Sequence, residues 1–310
     1  MGRRRHVALA SAIAILLMGT ALSVVLVGLT RSMSGRDFIR AQVQRALASV
    51  SHGKVHIGAL GGSFLTDLTI DSLEIREPND SLFVASGPIR LTFDPRDIVD
   101  GVIFLRSVDV QRPFVRLQRR HDEWNYRSIW PSGKGPDTGP NRGFGSRISL
   151  SNVRIRGGEV HLLMPWTPAD SLHGARRDSA ITVALKDAVA GVRRIGANEF
   201  EKEWLWKDIG LQLAHAHLAD PDTGGQHFEI VRAELVERYP PLALRNVRGT
   251  IWRRGDSLYV EIPRFDLPAS TGSAKGKVWW GSDLPMRYDV RIRGDSVSLA
   301  DVAWVYDGLP

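Results

Sequence analysis

His215 and His217, in Leu213-Ala214-His215-Ala216-His217-Leu218, alternate along the chain and would project from one side of a strand, as two metal ligands can. No third histidine or carboxylate follows at a ligand spacing, so they read as surface histidines and no metal is expected. Asp220-Pro221-Asp222-Thr223-Gly224 opens like a calcium-binding loop. Its proline, and the lack of a glutamate at the twelfth position, make it an ordinary turn. Gly133-Lys134-Gly135 has neither the spacing nor the following helix of a phosphate loop. The chain has no Gly-x-Ser-x-Gly elbow, and no carboxylate pair stands out from an evenly charged sequence. With no cysteine, disulfides, thiolate zinc sites and thiol catalysis are all excluded. These patterns point away from an enzyme and away from any cofactor.

What chemical character remains is apolar and aromatic. Trp124, Trp130, Trp166, Trp204, Trp206, Trp279 and Trp280 have the type to stack on sugars or bases. In a half-open apolar sheet they more simply cover edges and plug groove ends. Alternating aliphatic residues run through most of the chain, and that period fits a closed sandwich core as well as an open apolar face.

Composition narrows the setting. Hydrophobic residues at 43% and charged residues at 24% exclude a wholly disordered chain and a polytopic membrane protein. The net charge is +7, of which Arg3, Arg4 and Arg5 supply three, leaving +4 for the rest of the chain. Basic and acidic residues interleave, as in Arg154-Ile155-Arg156-Gly157-Gly158-Glu159, so no basic patch points to nucleic acid. After the arginine cluster, Val7 to Leu29 carries no charge. A helix of that length spans roughly 34 Å, enough to cross a bilayer. The run is longer than a signal-peptide core, and Thr30-Arg31-Ser32-Met33-Ser34 makes a poor cleavage site. The expectation is an uncleaved single-pass anchor with its N-terminus in the cytoplasm and residues 31–310 outside.

The elements beyond the anchor follow from their periods. Ile39, Val43, Ala46, Leu47 and Val50 form one helical stripe, the mark of a short amphipathic helix. From Gly53 onward the period is two. Val55 and Ile57, Leu68 and Ile70, Ile89 to Phe93, Val108 and Val110, and Val115 and Leu117 all alternate with polar residues. The phase slips by one between Ile70 and Leu73, and again between Leu150 and Val153. Gly157-Gly158 suggests a tight hairpin turn into Val160 and Leu162. Further strands are expected at Ile181–Leu185, Ile209–Leu213, His227–Leu235, Arg248–Arg253, Leu258–Ile262, Gly276–Trp280 and Met286–Ile292. Pro131–Ser146 is Gly- and Pro-rich with nothing to bury and reads as a flexible loop that proteases reach first. Thr167–Ser179 reads as a second loop. About fifteen strands with no intervening helical period predict a mainly β fold, an elongated and curled antiparallel meander. Bulges at the slips supply the curl.

These residues resemble a known family. The anchor, the short helix, Gly53-Lys54-Val55-His56-Ile57-Gly58 and Leu68–Ile75 are similar to the start of AsmA-like and TamB-like proteins. So are LFVASGPIRLTFD (Leu82–Asp94), VIFLRSVDVQRPFVRL (Val102–Leu117), DEWNYRSI (Asp122–Ile129), LRNVRGTIWRRGDSLYVEI (Leu244–Ile262) and YDVRIRGDSVSLADV (Tyr288–Val302). The resemblance is one of strand rhythm and carries no catalytic signature.

It implies an open groove of repeating β type, anchored in the inner membrane, lying in the periplasm and carrying phospholipid acyl chains towards the outer membrane. The alternative it implies is an envelope scaffold that helps assemble outer-membrane proteins, working with an outer-membrane or envelope partner. On this reading residues 1–30 are the cytoplasmic cluster and anchor, and 31–130 the amphipathic helix and first groove segment. Residues 131–146 are the loop, and 147–310 the continued groove, truncated at its C-terminus. Fifteen strands would give a groove of roughly 70 Å. The residues expected to line it are Ile70, Ile75, Leu91, Phe93, Val110 and Val115.

Overall fold

A computed structural model describes residues 37, 41, 44, 52–63, 66–94, 96–97, 102–120, 123–129, 147–219, 225–238, 241–279 and 287–302. Val7–Leu29, the loop Pro131–Ser146, the turn 220–224, and Trp130 and Trp280 lie outside these residues. The amphipathic-helix reading also falls largely outside them, with Asp37, Ala41 and Gln44 described as helical. Among the described residues no helix is long and apolar enough to cross a membrane.

The fold is mainly β, with a single sheet of seventeen strands. Its N-terminal half is built from short strands in collinear pairs. These are β1 (Lys54–Ile57) with β2 (Leu60–Gly61), β3 (Asp67–Ile70) with β4 (Leu73–Arg76), β5 (Leu82–Ser86) with β6 (Ile89–Phe93), and β7 (Val102–Gln111) with β8 (Phe114–Arg120). Each pair is one long strand with a kink, because both members continue the same antiparallel ladder against the next pair. The long strands β10 (Arg147–Trp166), β12 (Phe200–Ala219), β13 (Gly225–Arg238) and β14 (Pro241–Arg254) follow. β15 (Ser257–Asp266), β16 (Thr271–Trp279) and β17 (Arg287–Ser296) complete the meander, while β9 (Glu123–Trp124) and β11 (Val192–Arg194) are short additions.

Four expectations are corrected here. First, the sheet is mixed, since β10 runs parallel to both β7 and β8. A parallel neighbour needs a crossover of a dozen or more residues, and the stretch between Arg120 and Arg147 is long enough to supply it. Second, Gly157-Gly158 does not turn the chain. Gly157 alone takes a positive φ, of 63°, whereas a two-residue hairpin turn of type I′ needs it at both positions. β10 passes straight through as a bulge, with Ile155 opposite Leu211 and Gly158 opposite Ile209. Third, Ile181–Leu185 is not a strand, and the end of the Thr167–Ser179 loop is not a loop. Both lie in an exposed helix, Ala175–Lys186, whose alanines, arginines and lysine outweigh the β-branched run Ile181-Thr182-Val183. Fourth, the sheet is open, as expected, but it is not strongly curled. The kinked pairs and then β10 and β12 to β17 occupy eleven neighbouring positions. That is roughly 48 Å across at about 4.8 Å per strand, less than the 70 Å expected from counting segments as separate strands.

The kinks and bulges align. Breaks at 58–59, 71–72, 87–88 and 112–113 continue into bulges at Gly157 on β10, near Asp208 on β12 and near Asn246 on β14. Arg112 (φ 47°), Asp208 (φ 51°) and Asn246 (φ 50°) take the left-handed conformation that an inserted residue needs, and Asp and Asn tolerate it best. Asn152 (φ 49°) kinks β10 at the slip between Leu150 and Val153, with the register unshifted against β7 and β12. The slipped phase therefore keeps both residues on one face.

Gly249 shows how tightly the ladder is set. Its φ of 141° and a Cβ that would meet the Glu261 carbonyl oxygen at 2.1 Å leave no room for a side chain. Gly249→Ala is expected to cost about 3 kcal/mol and to loosen β15 from β14. A thermal melt that leaves the midpoint of the variant unchanged would contradict this placement.

Candidate functional site

Residues directly opposite one another in a ladder project from the same face. Followed across the sheet, one row reads Ile70, Ile89, Val110, Ile155, Leu211, Ala233, Val247. The next row on that face reads Leu68, Leu91, Val108, Val153, Leu213, Ile230. Between them, on the opposite face, lie Thr69, Arg90, Asp109, Arg154, Gln212 and Arg232. The sheet is thus apolar on one side and polar on the other.

The apolar face continues past the line of kinks. Ile209 and Leu211 are two residues apart on a regular stretch of β12, Gly158 lies opposite Ile209, and Val160 is two residues beyond Gly158. Val160 begins a row through Val115, Val84, Ile75 and Val55 on one side and Trp206 on the other. All six residues singled out from the sequence therefore share one face. Ile70 and Val110 are in one row, Leu91 in the next, Phe93 opposite Leu105, and Ile75 and Val115 together across the kink. Each is half-buried.

No second layer packs on this face among the described residues. Extended contacts run between neighbouring strands, apart from the Ala175–Lys186 helix on β11 and the short helix Tyr126–Ile129 on β9. Only twelve hydrophobic side chains are buried among the described residues, too few for the sandwich alternative at this size. The central cluster is Val108, Val153, Leu213 and Ala216, flanked by partly buried Leu91, Leu105, Val110, Leu150, Leu211, Phe228 and Ile230. A smaller core on the other face holds Phe83, Leu163 and Leu205, with Ile129 wholly buried beside the chain turn where His52 N donates to Ile129 O (2.8 Å).

One carboxyl interrupts the apolar face. Glu237 lies opposite Trp206 and Leu242 and is 5% exposed. Burial pushes its pKa above the ordinary carboxyl value, while the Trp206 indole N–H and the Lys202 charge pull the other way. A raised folded-state pKa means the native state holds more protons than the unfolded chain above the ordinary value. Stability should therefore be greatest below it and fall as pH rises through the folded-state value. Glu237→Gln is expected to flatten that dependence and to be the more stable protein at neutral pH. Equal denaturation midpoints for the two chains at every pH would contradict this.

The polar face carries the histidines. Ser149 Oγ and His217 Nδ1 are 2.9 Å apart, Ser151 Oγ and His215 Nδ1 are 3.1 Å apart, and the His217 and His227 rings stack at 6.3 Å. Among the described residues no group of His, Asp and Glu could hold a metal ion. His161 bridges Glu203 and Glu159 at 2.6 Å each. Glu201, 1% exposed, accepts from Gln118 (2.6 Å) and from two nitrogens of Arg193 (2.6 and 3.1 Å).

Sequence reasoning missed the Trp206–Glu237 pair on the apolar face and the Gln118–Glu201–Arg193 group on the other, because their partners come from different strands. Of the tryptophans, Trp166, Trp204 and Trp206 fall on the apolar face near one end of the strands, and Trp124 stacks on Tyr126 at 6.3 Å. Together these features define a class: a large open, mostly antiparallel β-sheet with one apolar face that no described element covers. Comparison with known proteins finds no protein-family model that matches the chain and no curated protein that matches it.

Proposed function

We propose that this is a non-enzymatic, membrane-anchored lipid conduit of the AsmA-like or TamB-like kind, its apolar face forming a trough for phospholipid acyl chains. The reading rests on one observation. Two adjacent apolar rows cross six strands or more without a facing layer among the described residues. An uncovered apolar face of that extent is costly in water, at about 0.8 kcal/mol per methylene-equivalent left wet. Acyl chains laid on it remove that cost, and they do so with no specific side chain. A trough as apolar as the bilayer also takes and releases lipid with little net change in free energy, which transport needs. The sequence-based anchor at Val7–Leu29 and its topology signal support a periplasmic site at the inner membrane, with lipid passing towards the outer membrane.

A second reading is favoured by a different observation. Among the described residues β17 forms an open edge, and its residues are all exposed, with Tyr288 at 75% and Ile292 at 66%. Such an edge can accept a client strand, as a scaffold for outer-membrane protein assembly would. Photo-crosslinkers at Ile70, Phe93 and Val110, with a further one at Ile292, separate the two. Lipid adducts at the first three support the conduit, and protein adducts there, or only at Ile292, support the scaffold.

A further inference from the structure

The apolar face changes character towards one end. Along β12, Phe200, Lys202, Trp204 and Trp206 alternate onto that face, and Trp166 of β10 lies opposite Phe200. Trp166 and Phe200 meet edge to face at 6.0 Å. The Arg194 guanidinium lies 4.9 Å from the Phe200 ring centre, and Lys202 Nζ lies 5.0 Å from that of Trp204. Arg194 also donates to the Ala197 carbonyl at 2.6 Å, which fixes its position over the ring. Beside this aromatic patch opens a cleft of ≈ 650 Å³. Its charged walls are Arg119, Arg120 and Arg193 against Glu199 and Glu201. The buried Glu201 is already engaged by Arg193 and Gln118, so its charge is spent inside the fold.

Tryptophan with cations held over ring faces suits a boundary between hydrocarbon and water, where one side of the ring is apolar and its N–H is wet. Arginine forks match phosphate oxygens bidentately. The chain direction agrees. β1 begins at Lys54, opposite Arg76, on the same side of the kinks as Trp166 and Phe200, so the chain enters β1 from this end.

We infer that this end of the sheet is where the trough loads, the cleft taking the phosphodiester head group of an anionic phospholipid while its acyl chains lie on the apolar face. The inference rests on the conduit reading and adds to it an end, a head-group charge and the residues that read it.

The test uses the full chain in nonionic detergent, mixed with equal amounts of phosphatidylglycerol and phosphatidylcholine, and native mass spectrometry of the lipid adducts. The expected result is a preference of about tenfold for phosphatidylglycerol: both lipids offer the same phosphodiester, but the choline ammonium of phosphatidylcholine adds a cation that the arginines repel. Arg119→Ala with Arg120→Ala, both in the cleft wall, should bring the ratio close to one while total lipid bound stays the same. Arg154→Ala with Arg232→Ala, on the polar face, should keep the preference. Equal uptake of both lipids by the unaltered chain overturns the head-group site and leaves the acyl trough standing. A preference that survives in the cleft variant, or that is lost equally in the polar-face variant, also overturns the site. No lipid on the unaltered chain defeats the conduit reading as well.

Discussion

Val110→Asp is expected to yield a folded protein that has lost most of its lipid. Val110 is half-buried in the row with Ile70, Ile89 and Ile155, and it faces the side no layer covers among the described residues. Water can reach a carboxylate there, so the cost to folding should be about 1–2 kcal/mol, the lower range for a poorly compensated polar group. An acyl chain crossing that point would have to desolvate the charge. Co-purified lipid should therefore fall by roughly tenfold or more. Val108→Asp supplies the contrast. Val108 is 8% exposed in the central cluster with Val153 and Leu213, and a carboxylate there should unfold the protein. The measurement is folded yield beside lipid content for both variants. A folded Val110→Asp protein with a full lipid load would contradict the trough at this position. An unfolded one would mean that the face is covered after all.

Removing the partner of a buried charge should also have a large effect on stability. Arg193→Ala leaves the Glu201 carboxylate, 1% exposed, with Gln118 as its remaining described partner. The expected loss is about 3 kcal/mol, because the uncompensated buried charge costs more than the pair contributes. Glu201→Gln in the same chain should recover most of the loss, since a neutral amide needs no counter-charge. Denaturant unfolding of the two variants checks this. Additive losses in the double variant would contradict the pairing.

The strand character of this chain was legible because an alternating period is a local property. The slip from Leu150 to Val153 was legible too, and it corresponds to the left-handed kink at Asn152. The sharing of one face by Ile70, Leu91, Val110 and Val115 follows from the same period, each slip being cancelled by an inserted residue or a kink. Pairing partners were not legible. Whether β10 lies parallel to β7 or folds back at Gly157-Gly158 depends on which ladder satisfies the most backbone groups, and that is decided across the whole sheet. The helix Ala175–Lys186 was hidden by three consecutive β-branched residues, where propensity and neighbours disagree. Glu237 looked like any exposed glutamate. Only its register opposite Trp206 and Leu242 puts it on the apolar face.

The absence of cysteine makes the central claim directly measurable, since one introduced thiol is the only one to label. Ile89 and Arg90 are adjacent in sequence and on opposite faces of the sheet. A bimane label is placed on Ile89→Cys or Arg90→Cys in the full chain, and phospholipid with brominated acyl chains is added. An apolar trough predicts strong quenching at position 89 and little at position 90. Equal quenching at the two positions, or none at 89, would contradict it.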